Sequence, residues 1–598
     1  MSELFPGFDV AAPATNYKRP VGRIVRVQPD ITSIRRSFDY VVPASWERDG
    51  RSELVVVGAL VRVDFGGRRT AGWVTEVDVE FDDSVDVRPL VKWSSYGPPQ
   101  SVIDLAEWAA WRWSGRLPHF LRAASPPRMV TTIRPSAPSA THAAVPALVS
   151  AFDAPFTVVR TVPHDDAVGL ATAACALGSA LILVPTIAQR RSLVRSLRDV
   201  GIDIAEYDEQ WERSAAGAST VGTRRAAFAP MANVDAVLVV DEHDGAYKEE
   251  RTPAWNARDV AVERARRTGA PCVLASPTPS LEALHLSDRQ LAPERSAERN
   301  AWPRVDVVDM RDQDRPGLLT DRIVDLVRGD GAGNDGAVAC ILNRKGRARM
   351  LACATCGSLA ACTECGGALR EDADGRLECA RDAIVRPMVC SECSGTHMKQ
   401  LRLGITRLAE DLAVLAKRPV FEVSAETPQA DLRGKKLFIG TEALLHRLES
   451  AHAVVFLDFD QELSIPRVRA AEEAFALLAL AARRVGPRDS GGRVIVQTRR
   501  PDDVVVQAAL RGDPGLVATS QRDIRQVFDQ PPYGAWAMIS GAGAETFASS
   551  IDTPSVQIHR LGDRWRLSAV DHETLLGAVN AVERPAERVR VEIDPLDV

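Results

Sequence analysis

The sequence lacks the features that would place it in a membrane or outside the cell. No stretch of the 598 residues approaches the roughly 18 uncharged apolar residues of a membrane span. The first residues, MSELFPGFDV, carry acidic side chains where a secretory signal needs a basic region. The formal net charge of −6 argues against a polybasic tail, although local basic patches can still bind nucleic acid. We therefore expect a cytoplasmic protein without membrane contact.

A phosphate-binding loop is also missing. Such a loop follows a strand and has the form G-x4-G-K-[ST], because backbone amides, a lysine and a hydroxyl hold the phosphates and Mg²⁺. No G-K-[ST] occurs in the chain, and no lysine occurs between Lys92 and Lys248. The corresponding loop reads RTVPHDDAVGL, with Gly169 and the acids Asp165 and Asp166, which would repel phosphate. ATP and Mg²⁺ are therefore not expected as cofactors.

Cysteines are concentrated in one segment. Seven of the ten lie between positions 353 and 393, and six of these form C-x2-C pairs. A two-residue gap lets both thiolates reach one tetrahedral Zn²⁺, and such pairs in a cytosolic chain favour zinc over disulfides. The alternative is a set of reduced structural thiols. The pairs are Cys353 with Cys356, Cys362 with Cys365, and Cys390 with Cys393.

The seventh cysteine leaves one four-ligand site incomplete. Cys379 has no cysteine three residues later, where Asp382 stands instead. A carboxylate oxygen can bind Zn²⁺ but is harder than a thiolate. We therefore expect one complete zinc site and a second that is weak or empty, unless Asp382 is simply a solvated surface acid.

Hydrophobic periodicity predicts several domains. Residues 16–75 contain short Val/Ile runs separated by turn residues, which indicate a small β-rich module. The module has 11 basic and 6 acidic residues, a charge of 11 − 6 = +5. This charge is compatible with a nucleic-acid platform or with an ordinary solvated basic face. From Phe156 onward, two sets of uniform apolar runs alternate with helix-length segments, which predicts two lobes with parallel sheets.

Several segments together resemble the PriA family of primosomal replication restart proteins. SFDYVVP and GALVRVDFGGRRTAGWV are similar to its 3′-DNA-end binding domain. DAVLVVDEHD and LASPTPSLEAL resemble two of its helicase motifs, and NRKGRARMLACATCG resembles its entry into the zinc region. IGTEALLHRLESAHAVVFLDFD and QPPYGAWAMISG resemble later segments, so the likeness follows the family's order along nearly the whole chain.

The resemblance implies a multidomain α/β protein with two RecA-like helicase lobes. The expected domains are a β-rich 3′-DNA-end binding domain, a helical or truncated winged-helix-like region with a linker, two degenerate lobes, a zinc region inserted in lobe two, and an α+β C-terminal DNA-binding-like domain. The expected bounds are 16–97 for the 3′-DNA-end binding domain, 98–150 for the helical region with its linker, 151–300 for lobe one, and 301–350 with 400–510 for lobe two. The zinc region is expected at 351–399 and the C-terminal domain at 511–598.

The resemblance also implies site residues. One zinc ion would take the outer set, Cys353, Cys356, Cys390 and Cys393, and the other the inner set, Cys362, Cys365, Cys379 and Asp382. The 3′-end pocket maps onto Phe38, Asp39 and Tyr40, with Arg88 or Lys92 as the basic partner. An aromatic ring can stack on a base, a carboxylate can accept from a 3′-OH and a cation can hold phosphate. The alternative is that Phe38 and Tyr40 fill a small core.

The departures from the family pattern fall at independent points of one nucleotide site. The family has a motif that reads DEEHD. In this chain the motif is one residue shorter and consists of Asp241, Glu242, His243 and Asp244. In the run LALAARRVGPR, which corresponds to QxxGRxGR, the first Gly becomes Arg483 while Arg484 remains. Such arginines normally stabilise phosphoryl transfer. We interpret Asp241, Glu242, His243 and Arg484 as a degenerate nucleotide site without catalytic residues.

These observations favour a DNA-binding assembly protein over an enzyme. The expected partners are branched DNA with a nascent 3′ end, as at stalled forks or D-loops, and other primosome and replication proteins. The protein would help reload the replication machinery without helicase activity and act as a monomer. One alternative is an active but divergent ATP-dependent 3′–5′ DNA helicase. Another is a zinc-ribbon interaction module that has lost DNA binding.

Overall fold

The computed structural model describes residues 22–80, 87–134, 145–311, 317–328, 336–343, 351–362, 369–372, 374–379, 384–400, 405–424 and 427–597. In this part of the chain, no helix has the length and the apolar run that crossing a lipid bilayer requires. The chain forms a curled N-terminal sheet, two parallel-sheet lobes, a cysteine-rich insertion and a C-terminal antiparallel sheet.

The N-terminal module is a six-stranded sheet with three helices. Its valines alternate with polar residues, so one face packs inward around Val25, Val27, Val61 and Val63. The strands are β1 (Ile24–Pro29), β2 (Phe38–Val41), β3 (Leu60–Phe65), β4 (Arg68–Val77), β5 (Arg88–Pro89) and β6 (Lys92–Ser95), in the order β5-β2-β1-β4-β3-β6. The helices are α1 (Ala44–Arg48), α2 (Gln100–Arg112) and α3 (Leu117–Ala124), with a 3-10 turn at Arg51–Leu54.

Helix α3 joins this module to lobe one. Trp73 of β4 donates to Ser125 Oγ at 2.8 Å, at the end of α3. From the lobe, Tyr207 donates to Ala123 O at 3.0 Å and Trp211 to Ala124 O at 2.9 Å. All three aromatic residues are buried, so the module and the lobe share one continuous apolar core.

Lobe one is a seven-stranded parallel sheet with helices. The uniform apolar runs become strands buried on both faces, as expected for parallel sheets. The strands are β7 (Phe156–Arg160), β8 (Ala180–Leu183), β9 (Ala205–Glu206), β10 (Thr220–Gly222), β11 (Ala236–Val240), β12 (Cys272–Ser276) and β13 (Arg289–Leu291), in the order β13-β7-β12-β11-β8-β10-β9. The helices are α4 (Pro146–Val149), α5 (Val168–Ala176), α6 (Ile187–Asp199), α7 (Trp211–Ala215), α8 (Ala257–Thr268), α9 (Leu281–Leu286) and α10 (Arg295–Ala301), with 3-10 turns at Ser150–Phe152, Arg224–Phe228 and Gly245–Tyr247.

Lobe two repeats this architecture with six parallel strands and a cysteine-rich insertion. Its strands are β14 (Arg304–Asp309), β15 (Val338–Ile341), β21 (Phe421–Val423), β22 (Leu437–Gly440), β23 (Ala453–Phe456) and β24 (Arg493–Thr498), in the order β14-β24-β23-β15-β22-β21. Its helices are α11 (Asp321–Arg328), α12 (Ile405–Ala416), α13 (Glu442–Arg447), α14 (Asp460–Leu463), α15 (Ala470–Val485), α16 (Val504–Arg511) and α17 (Pro514–Val527), with 3-10 turns at Gln429–Leu432 and Arg488–Ser490. The insertion holds β16 (Leu351–Cys353), β17 (Leu369–Glu371), β18 (Leu377–Cys379), β19 (Val385–Arg386) and β20 (Met398–Gln400) in two small antiparallel sheets.

The C-terminal domain is a four-stranded antiparallel sheet with two helices. Its strands are β25 (Ala535–Ser540), β26 (Gln557–Leu561), β27 (Arg564–Ala569) and β28 (Arg590–Ile593), in the order β26-β27-β25-β28, and its helices are α18 (Ala544–Ser549) and α19 (His572–Ala581). Arg112 of α2 forms a 2.7 Å ion pair with Asp594, which places the domain against the N-terminal helices. The predicted fold class is therefore confirmed: a β-rich N-terminal module, two parallel-sheet lobes and an α+β C-terminal domain.

Candidate functional site

A cleft lies where the carboxyl ends of the lobe-one strands face helix α15 of lobe two. Crevices at this edge of parallel sheets are common ligand sites, because several strand ends converge there. The cavity has a volume of about 190 Å³. Its lining includes the acidic run Asp241 to Asp244 at the end of β11 and Arg483 near the end of α15. The residues of the predicted degenerate nucleotide site are therefore gathered around this cleft, with the exception described below.

The loop after β7 uses its own carboxylates to bind its backbone amides. Asp165 Oδ1 accepts from Ala167 N at 2.7 Å, and Asp166 Oδ1 accepts from Val168 N at 3.0 Å. Val168 is the first residue of α5, and free amides at a helix start are the groups that a phosphate would use. The two acids noted in the sequence therefore take up hydrogen-bond donors that a phosphate-binding loop would offer.

Asp241 is bound on both oxygens by an arginine of the other lobe. Arg483 Nη2 lies 2.7 Å from Asp241 Oδ1, and Arg483 Nη1 lies 2.7 Å from Asp241 Oδ2. Gln189 Nε2 donates to Asp241 Oδ2 at 2.7 Å. Burial alone would raise the pKa of Asp241, but the charge and hydrogen bonds of Arg483 lower it below its ordinary value. The carboxylate is therefore ionised, and both of its oxygens accept hydrogen bonds from protein side chains.

Glu242 and His243 make their contacts inside lobe one. Glu242 accepts from Ser280 N at 2.7 Å and from Ser280 Oγ at 2.8 Å, and Arg258 Nη1 lies 3.3 Å away. His243 Nδ1 lies 2.7 Å from Ser276 Oγ. These bonds tie the acidic run to the segment after β12, which the sequence analysis compared with a second helicase motif.

Arg484 does not reach the acidic run, whereas Arg483 does. Arg484 Nε donates to Leu445 O at 2.7 Å within lobe two. Burial and the neighbouring Arg483 lower the pKa of Arg484 to about 10. The sequence singled out Arg484 because it matches the family motif and missed the partner role of Arg483. The adjacent arginines were the available signal, but only the orientation of α15 decides which one faces lobe one.

The outer cysteine set forms a candidate metal site. The sulfur atoms of Cys353, Cys356, Cys390 and Cys393 all lie within 4.8 Å of one another. Cys353 Sγ lies 3.5 Å from Cys393 Sγ, and Cys356 Sγ lies 3.6 Å from Cys390 Sγ. A tetrahedral ion with bonds of about 2.3 Å to sulfur requires sulfur pairs about 3.8 Å apart. The four thiols therefore fit one zinc-sized ion.

Backbone amides donate to two sulfur atoms of the outer set. Thr355 N donates to Cys353 Sγ at 3.4 Å, and Glu392 N donates to Cys390 Sγ at 3.4 Å. Hydrogen bonds from the backbone amides of Cys356 and Thr355 lower the pKa of Cys353 to about 6. The Gly395 amide lowers the pKa of Cys393, but hydrogen bonds with Cys356 and Cys353 raise it to about 12. Since zinc binds the thiolate form, the surroundings of Cys353 suit a metal ligand, and Cys393 would have to lose its proton on binding.

The inner set is only partly described. Cys362 and Cys379 are buried in a small apolar cluster with Leu369 and Leu377. The other two proposed ligands, Cys365 and Asp382, lie outside the described residues. The geometry of a second metal site therefore stays a prediction.

The predicted 3′-end residues lie on β2 and face different surroundings. Tyr40 is 4% exposed and packs in the core of the N-terminal module. Phe38 is half-buried against Phe65, with ring centroids 5.0 Å apart, and the guanidinium of Arg36 lies 5.0 Å from its ring. Asp39 points to the other face and pairs with Arg26 at 2.9 Å.

The two basic candidates lie close to a third exposed cation. Arg88 of β5 lies 3.9 Å from Asp64 of β3, which shows that the sheet curls until its far strands meet. Lys92 of β6 stands directly opposite Arg62 of β3, and all three cations are exposed. We call Arg62, Arg88 and Lys92 the barrel patch. Arg88 and Lys92 were predicted from the sequence, whereas Arg62 was not, because its place opposite Lys92 depends on strand register.

Known proteins resemble this chain over its N-terminal module and over more than half of its length. Residues 23–126, which comprise the curled sheet with α2 and α3, match the 3'DNA-binding domain (3'BD) family of PriA. Replication restart protein PriA of Bacillus subtilis (strain 168) is 25% identical over 413 residues, which cover 63% of this chain and 51% of that protein. PriA of Haemophilus influenzae is 27% identical over 395 residues, or 60% of this chain and 54% of that protein. More than half of this chain is similar to PriA replication restart proteins.

The likeness to PriA is partial in length. The chain spans about half the length of the curated PriA proteins it matches, 51% for the Bacillus subtilis protein. Among solved structures, S. cerevisiae Dbp5 bound to RNA and ADP BeF3 covers 64% of this chain and 90% of its own, with 11% sequence identity and a TM-score of 0.35. The resemblance to the PriA family inferred from the sequence motifs is confirmed.

Proposed function

We propose that this protein binds branched DNA with a nascent 3′ end and helps reload the replication machinery there, without ATP-driven strand separation. The observation that carries the DNA-binding part is the match of residues 23–126 to the 3'DNA-binding domain family. Relatives named replication restart proteins support the restart role. Stalled forks and D-loops are the DNA structures that present such an end.

The barrel patch is the proposed phosphate contact. Arg62, Arg88 and Lys92 are exposed on one curled sheet, and cations of this kind supply most of the affinity for DNA. Phe38, partly open beside Arg36, is the proposed stacking residue. Asp39 would accept a hydrogen bond from the 3′-OH, for which it must exchange its present bond with Arg26. Tyr40 would support this strand from the core.

The absence of ATP turnover is supported by the state of the cleft. Phosphoryl transfer needs positioned cations and a metal held by a strand-end acid. Both oxygens of Asp241 are engaged by Arg483, and the loop amides at Ala167 and Val168 are engaged by carboxylates. An active ATP-dependent 3′–5′ helicase would have to break these contacts before each cycle.

Zinc is the proposed metal of the outer cysteine set. Four thiols with the spacing of a tetrahedral site match its preferred ligands. The ion would join the two C-x2-C segments and stabilise the insertion of lobe two. The inner set, with Asp382 as its fourth ligand, is proposed as a second and weaker zinc site.

A titration with forked DNA tests the proposed function. Forks with a free 3′ end should bind more tightly than forks with a blocked 3′ end, by about tenfold, and ATP–Mg should leave both affinities unchanged. A variant with Phe38→Ala and Asp39→Ala should lose the preference for the free end while retaining salt-dependent binding. Equal affinity for both forks in the unmodified protein would contradict 3′-end recognition.

A further inference from the structure

Helix α15 of lobe two is fastened to lobe one by the Arg483 side chain. Besides its two contacts with Asp241, Arg483 Nε donates to Pro163 O at 2.6 Å. Pro163 belongs to the loop after β7, and Asp241 follows β11. One side chain of lobe two therefore bonds two separate strand-end segments of lobe one.

The other end of the same helix is also attached to lobe one. Glu472 Oε1 accepts from Leu281 N at 3.2 Å, at the start of α9. Glu472 and Arg483 are 483 − 472 = 11 residues apart, which corresponds to about 16 Å along a helix. Two attachment points at this separation resist rotation of one lobe against the other better than a single one would.

The attachment at Glu472 continues into α17. Arg525 bonds Glu472 and lies 3.4 Å from Glu282 of α9, and its own side chain is 1% exposed. Arg525 therefore places a buried cation between acids of the two lobes. The contact at this end of α15 is desolvated and rests on more than one side chain.

The ion pair between Arg483 and Asp241 has the features of a strong ion pair. The Arg483 side chain is 20% exposed and that of Asp241 is 6% exposed, so solvent screens the pair little. The bidentate geometry fixes the guanidinium in one orientation. The carboxylate of Asp241 holds the pKa of Arg483 above its ordinary value despite burial, so the pair stays charged. Loss of either partner would leave the other charge buried without compensation.

We propose that Arg483 and Glu472 form a latch that keeps the two lobes closed without any nucleotide. In this α15 latch, the guanidinium of Arg483 takes the place of bound ligand between the strand-end acid and the loop after β7. The proposal rests on the proposed function, in which the protein does not turn over nucleotide. It deepens that function, because the latch gives a physical reason why nucleotide would not be turned over. The protein's own charges bridge the two walls of the cleft.

The latch has a consequence for the rest of the molecule. The N-terminal module is bonded to lobe one through α3, and the cysteine-rich insertion belongs to lobe two. A closed cleft therefore holds the DNA-binding module and the insertion at one fixed separation. The protein would act as a rigid support rather than as a motor that changes shape.

Hydrogen–deuterium exchange of the full chain, without DNA, tests the latch. We compare the unmodified protein with Arg483→Ala and with Asp241→Asn, which keeps the side-chain shape and removes the charge. Arg322→Ala is the matched control, because Arg322 forms a 2.7 Å pair with Asp306 inside lobe two. Exchange at residues 164–168 and 241–245 should rise by about tenfold in both latch variants and stay unchanged in the control. ATP–Mg should not change exchange in the unmodified protein.

Two results would overturn the latch: unchanged exchange in both latch variants, or nucleotide-dependent protection of the cleft in the unmodified protein. If Arg483→Ala fails to fold, exchange in Asp241→Asn alone tests the latch, because this substitution removes the contact from the side of lobe one. A double variant with Asp241→Arg and Arg483→Asp should restore part of the protection. Fork titrations on the same samples separate the two proposals. Unchanged exchange in the latch variants, together with a normal preference for free 3′ ends, refutes only the latch. Raised exchange in the latch variants, together with no preference for free 3′ ends in the unmodified protein, refutes only the DNA-binding role.

Discussion

Asp458 is a buried carboxyl that we expect to lower the stability of lobe two when it is ionised. It is 7% exposed at the end of β23, and burial, with the nearby charge of Asp460, raises its pKa to about 6. Gln461 donates to Asp458 Oδ2 at 3.0 Å, while Oδ1 has no hydrogen-bond partner within the described residues. Arg499 is nearby but binds Asp460. The acid is therefore poorly compensated when ionised.

We predict that Asp458→Asn stabilises lobe two at pH 8 and has little effect at pH 4. The folded-state pKa lies above the ordinary value of 3.8, so the native carboxyl loses stability as the pH rises from about 4 to about 6. At about 1.4 kcal/mol per pKa unit, the cost above pH 6 is on the order of 3 kcal/mol. Thermal unfolding of both proteins across this pH range measures it. The exposed Asp502→Asn serves as the control, and a variant effect that does not depend on pH would refute the assignment.

The barrel patch gives a second prediction for individual residues. Replacing Arg88 and Lys92 by alanine should weaken fork binding and reduce the slope of log K against log salt by about one for each cation. The effect should be the same for free and blocked 3′ ends, because phosphate contacts do not distinguish them. Fluorescence anisotropy at several salt concentrations measures the slope, with Arg322→Ala as the control. An unchanged slope would place the phosphate contacts elsewhere.

Among the structural elements, the strands were predictable and the cleft contacts were not. The runs FTVVR, DAVLVVDE and RVIVQT became buried parallel strands because a strand covered on both faces needs apolar residues at every position. The bond between Arg483 and Asp241 joins residues 242 positions apart. It depends on the relative placement of two lobes, which no local pattern records.

The cysteine-rich insertion illustrates the same distinction. Spacing alone predicted that Cys353, Cys356, Cys390 and Cys393 carry metal chemistry, because a C-x2-C pair is a local feature. Which pairs share one ion depends on the fold of the segments between them, and the structure brings these four sulfurs together. The antiparallel pairing of β16 with β20 accounts for this, since it places Cys353 beside Met398, near Cys390 and Cys393.

Metal analysis of the insertion is the corresponding prediction. The purified protein should hold between about one and two Zn²⁺ per chain. Cys390→Ser should lower the zinc content by about one ion per chain, because the outer set loses a thiolate ligand. The insertion should become less stable, because the remaining thiolates lose the metal ion that they share. Asp382→Cys should raise the content toward two if the inner set is weak. A zinc-free protein that folds normally would refute both assignments.

As a whole, the molecule has two lobes, and its own side chains bridge the cleft between them. Carboxylates bind the loop amides after β7, and an arginine of lobe two binds the strand-end acid of lobe one. The N-terminal module matches the 3'DNA-binding domain (3'BD) family over residues 23–126. We therefore propose that DNA recognition and nucleotide chemistry are separate in this chain.

ATP hydrolysis in the presence of forked DNA tests this separation most directly. We predict no hydrolysis above the buffer rate, with or without a fork that carries a free 3′ end, while the same preparation binds that fork. Fork-stimulated hydrolysis that disappears in Asp241→Asn and Glu242→Gln would contradict it, because the acids would then be holding a metal and nucleotide instead of Arg483 and Ser280.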